Sequence, residues 1–303
     1  MSDEIKKQVF ITGSTGFVGK NVFKYFNQKF NIYSFIKDEK INICQDIVLH
    51  LAGKAHDLKN TSNIDDYYNI NTKFTKEVFD QFLVSDAKVF IFLSSVKAAE
   101  DKLTEVLTEE YIPNPITHYG KSKLLAEQYI LNKSIPEGKR VYILRPCMIH
   151  GPGNKGNLNL LYKIVKKGIP WPLGSFENKR SFCSIDNLLF IINELIDNDK
   201  IPSGIYNVAD DEAISTNELI SLIAERQGKK SFILKIPKFI IISISKLGDL
   251  FKLPINSERL KKLTETYIVS NQKIKNAINK PLPVSAKEGL MKTLNSFGKS
   301  NTH

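Results

Sequence analysis

The sequence predicts an α/β fold with a doubly wound parallel sheet, followed by a smaller lobe. Short apolar segments alternate with helical segments through the first half, a glycine-rich turn follows the first of them, and the alternation stops near residue 150. Strands that alternate with helices form parallel sheets covered by helices on both faces. The length of 303 residues suits one large α/β unit that carries a smaller one.

Five apolar segments of the first half are predicted strands, at residues 8–12, 31–36, 47–51, 88–93 and 140–144. Helices are predicted between them, from the glycine-rich turn to about residue 27, over 64–83 and over 119–132. Only nine residues separate Lys37 from Ile47, which is too few for another helix and strand. We therefore expect the sheet to lack its outermost strand on that side.

The second half predicts a discontinuous substrate lobe behind a dinucleotide-binding domain of residues 1–150. Helices are predicted over residues 157–167, 215–227 and 285–294, and a helix and a strand over 186–197 and 204–208. Residues 182–208 are expected to return to the sheet, which leaves 151–181 and 209–303 for the lobe.

The formal net charge of +11 is spread along the chain, without an arginine-rich block or a nucleic-acid docking motif. This distribution favours an anionic small-molecule substrate over nucleic acid. Cys44, Cys147 and Cys183 form neither a disulfide framework nor a metal-ligand pattern, so no metal is predicted. The N-terminal residues lead into a strand without a secretory apolar region, which favours a cytoplasmic protein.

The most apolar segment, residues 236–250, is too short to span a bilayer and is interrupted by Lys238 and Lys246. No membrane span is therefore predicted. A helix packed on the small lobe is the favoured interpretation, and a helix lying in a membrane interface is the alternative.

A glycine-rich motif, Thr12 to Gly19, joins the first strand to the first helix. Gly13 permits a tight turn, Gly16 lets the backbone approach a pyrophosphate, and Gly19 lets helix and strand pack closely. This arrangement predicts a Rossmann-type dinucleotide site at the N-terminus of the helix. The remaining predicted cofactor contacts of the motif are Ser14, Thr15, Phe17 and Val18.

The choice between NAD and NADP depends on the residue at the end of the second strand. Counting eighteen residues from Gly19 reaches Lys37, followed by Asp38. A lysine there pairs with the 2′-phosphate of NADP, whereas an aspartate binds the ribose hydroxyls of NAD. The sequence leans slightly to NADP, and two solvated loop charges are the alternative.

Tyr119 and Lys123 lie four residues apart, on one face of a predicted helix. A tyrosine that shuttles a proton needs a pKa lowered from about 10, and a neighbouring ammonium has that effect. Ser95, at the carboxyl end of a predicted strand, supplies a hydroxyl for the substrate oxygen. Ser94 is the less favoured alternative to Ser95.

With these motifs the sequence resembles the extended short-chain dehydrogenase/reductases, in particular the NAD-dependent epimerase/dehydratase branch that acts on nucleotide sugars. The resemblance implies that Ser95, Tyr119 and Lys123 are catalytic and that Asn71 is a structural asparagine near the cofactor. It also implies a cofactor contact from Pro146, and further ones from the segment Leu51, Ala52 and Gly53.

On the substrate side, Asn157 and Leu158 are similar to the segment that touches the diphosphate and base, and Arg180 is similar to the arginine that binds the diphosphate. Phe74 and Met148 depart from the family pattern, which weakens a specific epimerase assignment. The implied partner is a nucleotide-diphosphate sugar, with a UDP-sugar favoured. Homodimer formation stays open.

Three reactions share this machinery: 4-epimerisation, 4-ketoreduction and 4,6-dehydration. Dehydratases of this type carry Asp-Glu after the catalytic threonine, whereas Val96 and Lys97 follow Ser95, which excludes dehydration. Epimerase and ketoreductase both remain. A cofactor-binding regulatory protein without turnover is the alternative, and the intact Ser95, Tyr119 and Lys123 argue against it.

Overall fold

The computed structural model describes residues 6–54, 63–154, 157–251 and 256–297. The strands are β1 (Gln8–Thr12), β2 (Asn31–Ser34), β3 (Ile47–His50), β4 (Val89–Leu93), β5 (Arg140–Pro146), β6 (Met148–His150), β7 (Phe182–Ser184) and β8 (Gly204–Val208). The helices are α1 (Phe17–Phe26), α2 (Ile64–Tyr67), α3 (Phe74–Val84), α4 (His118–Leu131), α5 (Asn157–Lys166), α6 (Ile185–Asp197), α7 (Thr216–Arg226), α8 (Lys238–Leu250), α9 (Ser257–Thr264), α10 (Gln272–Ile278) and α11 (Ala286–Phe297).

The main sheet has six strands in the order β2-β1-β3-β4-β5-β8, and every neighbouring pair is parallel. The doubly wound parallel fold predicted from the sequence is confirmed. Within the described residues β2 is the edge strand and no further strand pairs beyond it, in agreement with the short spacing after Lys37. β8 pairs with β5, whereas β7 pairs with β6 in a separate two-stranded sheet.

The sheet is buried on both faces, and alternate residues of β1 enter different cores. Val9 and Ile11 pack in one cluster with residues of α1, α6 and α10. Phe10 packs in the other cluster, with residues of α3 and α4. A parallel sheet covered on both sides accounts for the near-continuous apolar runs of its strands.

Two departures from the sequence prediction lie near the predicted cofactor and catalytic residues. β2 ends at Ser34 and not at residue 36, and the chain then turns through Asp38, whose φ of +71° is left-handed. The predicted helix 64–83 is interrupted by a π-helical segment, Tyr68–Lys73, between α2 and α3. A π segment widens one helical turn, and such turns are frequent at functional sites.

The C-terminal part has its own apolar core. Residues of α5, α7 and α11 enclose Trp171, whose backbone pairs with Phe232 and Leu234. Tyr267, Val269 and α10 pack instead in the core of the main sheet, although the sequence assigned residues 209–303 to the lobe. Residues 209–303 therefore contribute to the core of the lobe and also to the core of the main sheet.

Helix α8 is attached to the lobe along one narrow stripe. Its buried residues are Ile241, Ser245 and Gly248, which lie one helical turn apart. The stripe faces α9, where Ile241 and Leu260 share a core cluster. The other positions of α8 are exposed. No helix among the described residues is both long enough and apolar enough to cross a membrane.

Candidate active site

The glycine-rich turn forms a cradle for a diphosphate between β1 and α1. Gly13 has a φ of +74°, and a Cβ atom there would lie 2.6 Å from the backbone nitrogen of Ala52. A Cβ at Gly19 would overlap the carbonyl oxygen of Gly13. Gly16 caps α1 without a side-chain hydrogen bond, so the cap leaves the first N–H groups of the helix available. The turn therefore fits a dinucleotide pyrophosphate at a helix N-terminus.

Asn71 joins the segment after β3 to helix α4. Its side-chain Oδ1 accepts a hydrogen bond from the Lys54 backbone N–H at 2.7 Å, and its Nδ2 donates to Ser122 Oγ at 3.0 Å. Asn71 is buried in the π-helical segment. Asn71 therefore connects the backbone next to Gly53 with α4, the helix that carries Tyr119, and this is consistent with the predicted structural role.

His50, at the end of β3, lies between Thr12 of β1 and Thr75 of α3 in one chain of hydrogen bonds. Thr12 Oγ1 lies 2.7 Å from His50 Nδ1, and Thr75 Oγ1 lies 2.8 Å from His50 Nε2. Because the Thr75 hydroxyl donates to the Asn71 carbonyl, it accepts from Nε2–H, and Nδ1 accepts from Thr12. Burial, aided by the charge of Lys123, lowers the pKa of His50 to about 3, so the ring is neutral.

The predicted catalytic hydroxyls meet where β4 ends and α4 begins. The Asp101 carboxylate accepts hydrogen bonds from the backbone N–H groups of Ile116 and Thr117, at 2.7 and 2.8 Å. The Thr117 side chain then caps α4 by accepting from the Gly120 N–H at 3.1 Å. This anchored first turn places Tyr119 where its phenol is hydrogen-bonded to Ser95.

Gly120 allows α4 to approach the turn that follows β4. A Cβ atom at this position would overlap the carbonyl oxygen of Lys97 and lie 2.8 Å from Cβ of Pro115. Any larger residue would push the helix away from Ser95. The glycine that follows Tyr119 therefore sets the distance between the two hydroxyl-bearing residues.

Lys123 is buried one turn further along α4. Its Nζ donates to the Leu93 carbonyl oxygen at 2.9 Å, and a Cβ atom at Gly53 would lie 2.9 Å from the same nitrogen. Burial lowers the pKa of Lys123 to about 8, although the Glu127 carboxylate opposes that shift. The ammonium thus lies beside Gly53, in the segment of residues 51–53 that the sequence assigned to the cofactor.

The pKa of Tyr119 lies above its ordinary value, because burial of the phenol outweighs the hydrogen bond with Ser95. Tyr67 and Glu127 raise this pKa further. The shift is opposite in direction to the lowering that the sequence predicted from the neighbouring Lys123 ammonium, because burial is the largest cause.

A buried ion pair lies behind the catalytic residues. Arg145 Nη2 and Glu127 Oε2 are 2.5 Å apart, and Arg145 Nε donates to both carboxylate oxygens at 3.0 and 3.1 Å. The Ser94 hydroxyl donates to the same carboxylate. Ser94 is thereby engaged in the interior while Ser95 faces Tyr119, an arrangement that favours Ser95 as the active hydroxyl.

Two cations, Lys97 and Arg180, lie close to each other beside the catalytic residues. Burial lowers the pKa of Lys97, the Asp101 and Glu265 carboxylates oppose that shift, and the charge of Arg180 adds to it. Lys97 Nζ lies 3.9 Å from the ring centroid of Tyr267 and donates to the Asp101 carbonyl at 2.8 Å. Arg180 Nη1 donates to the Lys262 carbonyl at 2.6 Å. Burial is the main cause that lowers the pKa of both cations.

The other predicted site residues are scattered around this centre. Pro146 ends β5 and is buried opposite Val208. Lys37 is exposed, three residues beyond the end of β2. The side chain of Leu158 lies in the core of the lobe, so only its backbone is available to a substrate. The side chain of Asn157 lies outside the described residues.

Sequence comparison assigns the chain to a family. The profile of the NAD dependent epimerase/dehydratase family matches residues 9–209. The chain is a member of that family. A nicotinamide dinucleotide is therefore its cofactor, and the cradle of Gly13 and Gly19 fits one.

Three known proteins illustrate the family relationship. The chain is 31% identical to a UDP-glucose 4-epimerase from Vibrio cholerae, over 98% of both chains. It is 28% identical to the N-acetyl-α-D-glucosaminyl-diphospho-ditrans,octacis-undecaprenol 4-epimerase of Escherichia coli O157:H7, over 73% of both. The fold is that of the UDP-glucuronic acid 4-epimerase of Bacillus cereus crystallised with NAD, with a TM-score of 0.73, 18% identity, and 96% of this chain and 99% of that chain covered.

Sequence reasoning missed the residues that support the site from behind. Glu127 follows Lys123 by the same four-residue interval that separates Lys123 from Tyr119, and this periodicity could have marked it. The hydrogen bonds at both ring nitrogens of His50 were not predicted either, because Thr12 and Thr75 are distant from it in the chain. Tyr267 carried no sequence signal, because it reaches Lys97 from a distant part of the chain.

Proposed function

We propose that this protein is a nucleotide-sugar 4-epimerase, with a UDP-sugar as the favoured substrate. The observation that carries the proposal is the placement of Ser95, Tyr119 and Lys123 around the carboxyl edge of the sheet, next to the dinucleotide cradle. The relative in Vibrio cholerae, a UDP-glucose 4-epimerase matched along nearly the full chain, supports the 4-epimerase reaction.

In this proposal Tyr119 holds and moves the proton of the sugar 4-hydroxyl. Ser95 donates a hydrogen bond to the same sugar oxygen and keeps it in line with the phenol. Lys123 stabilises the phenolate and binds the cofactor ribose. The nicotinamide ring supplies a hydride acceptor and donor at its C4. The buried pair of Glu127 and Arg145 fixes the strand and the helix that present these groups.

Arg180 is the proposed ligand of the substrate diphosphate. Its planar guanidinium matches two phosphate oxygens, and the nearby Lys97 ammonium supports the proposal with a second cation. A site with two cations is suited to the dianionic diphosphate of a nucleotide sugar.

For the cofactor, we propose a modest preference for NADP through Lys37. The exposed ammonium follows β2, which is the edge strand of the sheet in the part of the chain that the structure describes. Asp38 is turned into a left-handed conformation beside it. If Asp38 reaches the ribose instead, its carboxylate repels the 2′-phosphate and the preference reverses.

An isotope experiment tests the reaction type. UDP-glucose and UDP-N-acetylglucosamine that carry deuterium at C4 are incubated with the protein and NAD or NADP, without another hydride donor. An epimerase gives the C4 epimer with its deuterium retained, because the hydride returns to the same carbon. A ketoreductase gives no epimer and consumes reduced cofactor with a 4-keto sugar. Loss of epimer formation in Tyr119→Phe ties the activity to this site, and the absence of epimer from every sugar tested contradicts the proposal.

A sugar carried on a lipid diphosphate is a second candidate substrate. The relative in Escherichia coli is named for an undecaprenol-linked sugar, and the exposed apolar residues of α8 favour such a substrate. The same assay with a polyprenyl-diphosphate N-acetylglucosamine in detergent separates the two. Faster turnover of the lipid-linked sugar than of the nucleotide sugar would select it.

A further inference from the structure

Helix α8 has its most apolar side chains on the outside. The face opposite its buried stripe carries Phe239, Leu247 and Leu250, which are 70%, 54% and 74% exposed. Ile240 and Ile244 extend this apolar face. A surface helix of a globular protein normally turns its apolar side to the core, whereas α8 turns most of its large apolar side chains to the solvent.

The apolar surface continues on the segments that flank the helix. Phe232 and Leu234 are exposed on the segment that leads into α8, while Ile233 between them packs against the lobe. Phe251, directly after the helix, is 65% exposed. A contiguous run of large exposed apolar residues is the mark of an interaction site.

The same stretch is strongly basic. Residues 228–251 contain five lysines and a single acidic residue, Asp249. The Asp249 carboxylate already accepts a hydrogen bond from the Ser257 N–H at 2.9 Å, at the start of α9. The stretch therefore alternates apolar residues with lysines that have no matching negative charge within it. These lysines are Lys229, Lys230, Lys235, Lys238 and Lys246.

We propose that α8 docks the protein on an anionic lipid bilayer. Apolar side chains would enter the boundary between headgroups and acyl chains, and the lysines would pair with lipid phosphates. Lysine stems accompany an apolar face into such a boundary while their ammonium groups stay in the headgroup layer.

Charge favours this occupant over a second copy of the chain. A twofold dimer through α8 would bring two sets of five lysines to one interface, where they repel each other. An anionic bilayer offers opposite charge to the same residues. The proposal concerns where the protein works and rests on neither candidate substrate.

Vesicle flotation of the full-length protein tests the docking. Vesicles of phosphatidylethanolamine with phosphatidylglycerol should carry the protein upward, and vesicles of phosphatidylcholine alone should carry much less. Phe239→Glu/Leu250→Glu should reduce the partition constant by about tenfold or more. Lys238→Glu/Lys246→Glu should reduce it comparably, and high salt should weaken binding of the wild type.

The matched control is Val84→Glu/Ile112→Glu, which places the same charges on exposed apolar residues outside α8. It should float as the wild type does. Equal unfolding midpoints and unchanged emission of the buried Trp171 establish that each variant is folded. Equal flotation with neutral and anionic vesicles, or unchanged flotation of the α8 variant, overturns the proposal. So does light scattering that shows a wild-type dimer converted to a monomer by the α8 variant, since a second copy would then cover this face.

Discussion

Glu127→Gln removes one charge from the buried ion pair behind the active site. Glu127 and Arg145 are 0% and 1% exposed, so neither charge is screened by water. The glutamine keeps the shape of the side chain but leaves the Arg145 guanidinium without its counter-ion. Arg145 Nη1 has no hydrogen-bond partner among the described residues. The guanidinium therefore depends on the hydrogen bonds that its Nε and Nη2 donate to Glu127.

The expected loss of stability follows from this burial. Breaking a buried ion pair by removing one partner costs about 3–5 kcal/mol. An unfolding entropy of about 2.1 cal/mol/K per residue, over 303 residues, converts this loss into a fall in Tm of about 5–8 °C. The variant also removes the carboxylate that raises the pKa of Lys123, so that pKa should fall further below about 8.

Glu194→Gln is the matched control, since it makes the same change in another helix and another ion pair. The Glu194 side chain is 9% exposed, but its partner Lys280 is 57% exposed, so water screens the charge that Glu194→Gln leaves behind and the loss should be smaller than for Glu127. The Tm of Glu127→Gln should therefore lie several degrees below that of Glu194→Gln. In a double-mutant cycle, Glu127→Gln/Arg145→Met should recover part of the loss. The reasoning about the buried charge fails if the Tm of Glu127→Gln is not lower than that of Glu194→Gln. It also fails if the double variant has a lower Tm than Glu127→Gln alone.

Four further changes test the site. Tyr119→Phe should abolish turnover with cofactor affinity nearly unchanged, and retention of a tenth of kcat, about 1.4 kcal/mol, would contradict a direct role. Arg180→Ala should raise the KM for the sugar substrate strongly without weakening cofactor binding, and an unchanged KM argues against diphosphate binding. Lys37→Ala should lower the preference for NADP over NAD by about tenfold, so cofactor titrations that give an unchanged ratio point to Asp38. The buried Lys123 ammonium lowers the stability of the folded protein below its folded pKa of about 8, and this cost disappears as the pH approaches the ordinary pKa of 10.5. Between these pH values the free energy of unfolding of the wild type, measured in urea, should therefore rise by up to about 3 kcal/mol relative to that of Lys123→Met. Parallel pH profiles of the two proteins would exclude the pKa shift.

The sheet and its cofactor turn were predictable because each depends on local pattern. Apolar runs bounded by helices predicted the strands, and the spacing after Lys37 predicted that β2 is the edge strand, as it is among the described residues. The end of β2 was not predictable, since Phe35 and Ile36 continue the apolar run while the chain has already begun to turn towards Asp38. Propensity along a strand does not show where its neighbour stops.

The supporting residues of the site could not be predicted, because their partners are distant in the chain. Glu127 and Arg145 are ordinary helix and strand residues until the fold brings them together. The outward face of α8 is a different failure. An apolar helix is expected to be buried, and only the fold shows that its narrow stripe of Ile241, Ser245 and Gly248 is all that packs.

The π-helical turn at Tyr68–Lys73 makes the length of one segment part of the site. A π turn contains one residue more than an α turn, and removing that residue would restore a regular helix and rotate the rest of the helix by about 100°. Asn71 hydrogen-bonds to Lys54 and Ser122, and Thr75 hydrogen-bonds to His50, so this stretch of helix contacts three neighbouring elements at once. A rotation of that size within the segment would keep one set of contacts only at the expense of the other. The number of residues in the segment, and not only their chemistry, therefore fixes how this helix joins the sheet to α4.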